Sequence, residues 1–97
     1  MKTWVFEPAA ADEFAQATDW YCEQAGVKIA EAFAGEVRRT MNTVGQYSEI
    51  GTPGVAGTRR IVLRHFPFVL VYRAEPKVLR VIALAHQRRR PDYWRNR

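Results

Sequence analysis

Cysteine is nearly absent: Cys22 is the single one in the chain, which excludes an intramolecular disulfide and leaves no thiolate cluster for zinc. It sits in a helical pattern beside Trp20 and Tyr21, distant in sequence from both histidines, and reads as a packing or surface thiol. Long apolar runs are missing too. None approaches the roughly 18 residues that a membrane span needs, and the start has no signal-peptide core. A cytoplasmic protein with no membrane association is the expectation. Acids are scarce in the second half, where only Glu75 and Asp92 occur after residue 50. Paired carboxylates for a metal-assisted nuclease are therefore lacking there. The glycines fit no phosphate-binding spacing, and no serine triad can be assembled. No metal and no cofactor is expected.

Positive charge, by contrast, is plentiful and unevenly placed. Residues 1–50 carry eight acids and four bases, whereas residues 51–97 carry two acids and eleven bases. The halves thus stand at −4 and +9 within a net charge of +5. Such asymmetry makes one strongly positive face, which attracts nucleic acid, an acidic protein, or both. A chain of 97 residues has room for one domain. The expected organisation is a single unit, 1–97, ending in a basic tail over 86–97.

Hydrophobic periodicity supplies the elements. Lys2 to Phe6 is β-branched and aromatic, and reads as a first strand. Pro8 suits a first helical turn, and Asp12 and Glu13 favour the positive end of a helix over roughly 9–25. Gly26 is placed to cap it. Ile29, Ala30, Phe33, Ala34, Val37, Met41 and Val44 then form a stripe at spacings of 3 and 4, with Lys28, Glu31, Glu36, Arg38 and Arg39 on the opposite face. Two amphipathic helices joined by about one residue make an antiparallel hairpin. Residues 45–57, rich in glycine, form a loop.

Three strands follow: Arg59 to Arg64, Phe68 to Arg73, and Val78 to Ala85. The unbroken apolar run of the middle one predicts a central strand covered on both faces. The expected fold class is α+β, in the order β-αα-βββ, with the helical hairpin packed on one face of a small, mostly antiparallel sheet. The place of the first strand in that sheet is left open.

Register decides which arginines meet. A turn centred between Glu75 and Pro76 pairs Arg73 with Val78 and Val71 with Arg80. That puts Arg73, Arg80, Ile82, Leu84 and His86 on one face. The preceding turn adds either Arg59, Ile61 and Leu63 or, after a slip of one residue, Arg60, Val62 and Arg64. Arginine stays protonated and can stabilise phosphate charge but cannot readily take a proton, so general base work would fall to His65, His86 or Tyr93. His65 lies in a turn and His86 ends a strand beside the basic run. Tyr93 and Trp94 interleave with Arg88, Arg89, Arg90, Arg95 and Arg97. Aromatics among bases stack on nucleobases or pin a segment to the core, and for Trp94 anchoring is the favoured reading.

The stretch from Arg59 to Arg73, RRIVLRHFPFVLVYR, resembles the central hairpin of RelE/ParE toxins. Ala85 to Trp94, AHQRRRPDYW, is similar to the H-x-R-R-x-P-x-Y-W ending of the ParE-like branch. Phe6-x-Pro8-x-Ala10, the Tyr21 helix and Phe33-x-x-x-Val37 fit the same pattern, so the resemblance spans almost the whole chain.

The resemblance implies one of two activities. RelE-like members cleave messenger RNA in the ribosomal A site with scattered lysines and arginines and a C-terminal tyrosine. ParE-like members poison DNA gyrase by trapping its cleaved-DNA intermediate. Where the ribonuclease branch has a lysine and two arginines, this chain has Val62, Val69 and Gln87, and only Arg60 and Tyr93 keep the character of that set. Loss of three charged positions removes most of the phosphate stabilisation such cleavage needs.

The expected function is thus a type II toxin acting on gyrase, with target-binding residues Arg59, Arg73, Arg80, His86, Arg88, Arg89, Arg90, Tyr93 and Trp94. In the alternative, a ribosome-dependent mRNA endonuclease, the site would be Arg60, His86, Arg89 and Tyr93. The resemblance also implies a cognate ParD-like antitoxin whose flexible segment orders on the toxin.

Overall fold

The structure, a computed structural model, describes residues 2–97. Strand β1 (Thr3–Phe6) leads into helix α1 (Pro8–Ala25), which starts on proline at its first position, where a missing N–H costs nothing. Helix α2 (Val27–Gln46) follows after Gly26 alone. Gly26 has φ +95°, a conformation that side chains resist, and its N–H donates to the Cys22 carbonyl. The remaining elements are a short strand β2 (Thr52–Pro53), a single 3-10 turn (Val55–Gly57), β3 (Arg59–Val62), β4 (Phe68–Ala74), β5 (Val78–His86) and a terminal 3-10 turn (Tyr93–Asn96).

The strands form one sheet in the order β1-β5-β4-β3-β2. The first strand lies at the edge, parallel to β5, and every other pairing is antiparallel. Ala10 and Ala17 of α1 and Phe33 and Val37 of α2 bury against Leu70, Val81 and Leu84. Tyr72 and Leu79 continue that face towards Val44. On the other face Val69, Val71, Ile82 and Ala83 are covered by Trp94 from the C-terminal segment. β4 is therefore buried on both sides, as its apolar run predicts, and Trp94 is the anchor.

Three details differ from the sequence expectation. The turn between β4 and β5 is centred one residue later, between Pro76 and Lys77, so Arg73 faces Arg80 instead of Val78. Val71 faces Ala83 instead of Arg80, because a β-bulge lies between Val71 and Tyr72 and places Ile82 as an extra residue on β5. Past that bulge the alternation reverses. Arg73, Arg80 and Ile82 stay away from the helices, but Leu84 enters the helix-facing core, and the His86 ring meets Phe68 edge-on at 5.4 Å. On β3 the slipped register holds: Arg60 faces Val71 and Val62 faces Val69, which leaves Arg59 and Ile61 on the helix side.

Glu36, expected on the solvent face of the second helix, is buried. It adjoins Val37, at the border of the apolar stripe, and its carboxylate accepts the His65 backbone N–H at 2.9 Å and meets the ring Nδ1 at 2.6 Å. This ties α2 to the β3–β4 turn.

Candidate functional site

The basic tail leaves β5 at His86 and turns back across the open face of the sheet. Gln87 N–H donates to the Pro67 carbonyl at 2.8 Å and Arg89 N–H to the His86 carbonyl at 2.9 Å. The chain reverses at Asp92, which takes φ +62°, and Trp94 then drops onto Val69, Val71, Ile82 and Ala83. Aspartate tolerates that left-handed conformation better than most side chains.

The hold on the tail comes from Glu13, on the helix layer. One carboxylate oxygen accepts the Leu84 N–H at 3.0 Å, and the other receives the Tyr93 hydroxyl in a short hydrogen bond and the Arg97 guanidinium at 2.6 Å. The guanidinium groups of Arg89 and Arg97 lie over the Tyr93 ring, 3.9 and 4.9 Å from its centre. Burial first, and then the bond to Glu13, push the Tyr93 phenol up to about 12. It is a donor at any physiological pH.

Two concavities flank the start of the tail. One, of about 600 Å³, has a floor of Val62, Val69 and Val71, a wall from Ile50 and Val55, and a rim holding Arg60, Arg89 and Arg90. The other, of about 440 Å³, lies between α1, the start of β4 and the end of β5, and is lined by Trp20, Tyr21, Phe68 and Leu84. His86, Arg89 and Ala85 belong to both.

The predicted docking arginines divide into two sets. Arg59 donates to the carbonyls of Glu49 and Gly51, at 3.0 and 2.8 Å, and clamps the loop before β3. Arg73 donates to the Ala56 carbonyl at 3.2 and 3.1 Å. Arg80 forms a two-point pair with Glu75, whose carboxyl it holds below the usual range. These three satisfy neighbours within the chain. Arg60, Arg88, Arg89 and Arg90 are exposed and form no salt bridge among the described residues. Together with His86, Tyr93 and Trp94 they cluster at the tail.

The two candidate bases of the tail, His86 and Tyr93, both make hydrogen bonds within the chain. The His86 Nδ1 accepts the Arg88 N–H at 3.1 Å, which puts the proton of the neutral ring on Nε2. Tyr93 donates to Glu13, and Glu13 already accepts from three groups. Among the described residues no cluster of ligands suits a metal ion, and no helix is long and apolar enough to cross a membrane.

Sequence reasoning missed Glu13, Ile50 and Val55 as parts of this region. Glu13 looked like an acid favouring a helix N-terminus, and nothing local marks its partners as far away as Tyr93. The exposed apolar residues of the 45–57 loop carried no periodic signal.

A family model described as "ParE toxin of type II toxin-antitoxin system, parDE" matches residues 5–91. Among solved structures, the chain is similar to one described as the chromosomal ParDE TA system from P. aeruginosa, with a TM-score of 0.76 and 19% identity. That alignment covers 89% of this chain and 96% of the other. Two helices on a five-stranded, mostly antiparallel sheet are thus a shared fold. No curated protein matches the chain.

Proposed function

The chain belongs to the ParE toxin family of type II toxin–antitoxin systems, and from that membership we propose that it arrests growth by binding DNA gyrase and trapping its cleaved-DNA intermediate. The observation that carries this reading is that Tyr93 and His86, the two candidate bases of the tail, are both engaged in hydrogen bonds within the chain. Tyr93, the residue an RNA-cleaving relative would use, is held as a donor by Glu13 and is pushed up to about 12. Arginines stabilise charge but do not accept protons, so the surface is better suited to docking than to cleavage. An apolar floor of Val62, Val69 and Val71 under a rim of Arg60, Arg89 and Arg90 fits a protein partner, with apolar contacts at the centre and charge at the edge.

A ParD-like antitoxin neutralises the toxin in this reading. Its acidic, flexible segment would order on a surface whose half-chain carries +9, and the opposite charge would speed encounter. Induced expression in bacteria tests the proposal. Filamentation with induction of the DNA-damage response is expected. Rapid arrest of translation with cut transcripts would assign the chain to the ribonuclease branch instead.

A further inference from the structure

The Glu13 carboxylate lies in neither the basic cluster nor the apolar floor, yet it makes every side-chain hydrogen bond that joins the helix layer to the tail. We propose that Glu13 is the positioning residue of the docking surface: it acts through Tyr93 and Arg97 to hold residues 87–97 as a preformed arch, so that Arg88, Arg89 and Arg90 meet the target already ordered. This rests on the reading of the tail as the target-contacting element.

Two features make Glu13 suited to the task. Its first contact is to Leu84 N–H, just beyond the bulge at Ile82, so the carboxylate is itself held against the sheet. Its second contact reaches Tyr93, whose ring carries the Arg89 guanidinium 3.9 Å from its centre. The position of Arg89 is thereby set through Tyr93 by a group on α1. Trp94 supplies the burial that keeps the segment down, but a lone apolar plug fixes neither the turn before it nor the direction of the arginines. Ordering the tail in the free protein removes a cost that would otherwise fall on binding, which for a flexible segment weakens affinity directly.

Amide hydrogen exchange on the purified chain, paired with growth arrest on induced expression, tests this with Glu13→Gln and Tyr93→Phe. The second variant deletes one hydroxyl and leaves Leu84 N–H with its acceptor, so it decides the matter where Glu13→Gln disturbs folding. In both variants the N–H groups of Arg89, Tyr93, Arg95 and Arg97, bonded within the tail, are expected to exchange about tenfold faster or more, the loss of one charge-assisted hydrogen bond. The β4–β5 ladder should keep its protection, growth arrest should weaken, and the double variant should be no worse than Glu13→Gln alone, which already weakens the Tyr93 bond along with the Arg97 pair. Unchanged tail protection in both variants, or undiminished arrest with the tail released, would overturn the proposal. Neither readout requires that the target be gyrase. A wild-type chain that arrests growth without trapping cleaved DNA on gyrase would overturn the gyrase reading and leave this one to be judged on its own results.

Discussion

Glu36 accepts both the backbone N–H and the ring of His65, 29 positions away, from a site in the protein interior. The pair ties α2 to the turn that starts β4, and that turn carries Phe66 into the aromatic cluster with Tyr21 and Phe33.

A pH dependence follows. Burial raises the Glu36 carboxyl, but the hydrogen bonds from the His65 backbone and ring and from the Arg64 backbone outweigh it and hold the group below its ordinary 4.5. A carboxyl lowered on folding stabilises the protein above its unfolded value, and that stability is lost as pH falls through the folded value. The wild-type urea midpoint should therefore drop more steeply than that of Glu36→Gln between roughly pH 5 and pH 3. At neutral pH the variant should be less stable by about 1–3 kcal/mol.

Gly51 packs under Tyr72. Its N–H donates to the Tyr72 hydroxyl at 3.0 Å, and that hydroxyl donates to the Ser48 carbonyl at 2.9 Å. A Cβ at residue 51 would stand 2.8 Å from the hydroxyl oxygen and 3.0 Å from the Arg59 Cβ. Gly51→Ala should lower stability by about 1–3 kcal/mol through overpacking, measured by chemical denaturation.

Trp94 covers the sheet face away from the helices. Trp94→Ala should cost about 3–5 kcal/mol, the range for a buried aromatic, and should abolish growth arrest by releasing the tail. Full activity in a folded Trp94→Ala protein would show that the tail does not need to be seated.

The arginines should separate by role. Arg59→Ala breaks two bonds to loop carbonyls and should lower stability by about 1–3 kcal/mol. Arg88→Ala combined with Arg90→Ala touches exposed, unpaired side chains and should leave stability within about 0.5 kcal/mol while growth arrest weakens. Stability and toxicity assays on the two constructions together give the contrast.

The elements with strong periodicity were legible in the sequence. The stripe from Ile29 to Val44 specified the second helix and, apart from Ile29, which is exposed, its buried face, and the run from Phe68 to Tyr72 specified a strand buried on both sides. What escaped depends on single residues or on distant partners. One extra residue on β5 moves Leu84 and His86 to the other face, and no local pattern signals a bulge of that kind. Arg59, Arg73 and Arg80 have the composition of a docking patch, but each satisfies an internal carbonyl or carboxylate that only the fold brings near. Glu13 read as an acid favouring a helix start and Glu36 as part of a polar helix face, because their partners lie in other elements. The family resemblance over the hairpin and tail agrees with the model match over residues 5–91, which establishes that family.

The most direct measurement incubates the purified chain with gyrase and supercoiled plasmid, then quenches with detergent and protease. Linear plasmid should accumulate with the dose of the chain and should diminish when Arg88 and Arg90 are replaced by alanine. An absence of linear plasmid at molar excess, with transcripts cut in a ribosome-containing extract, would contradict gyrase poisoning.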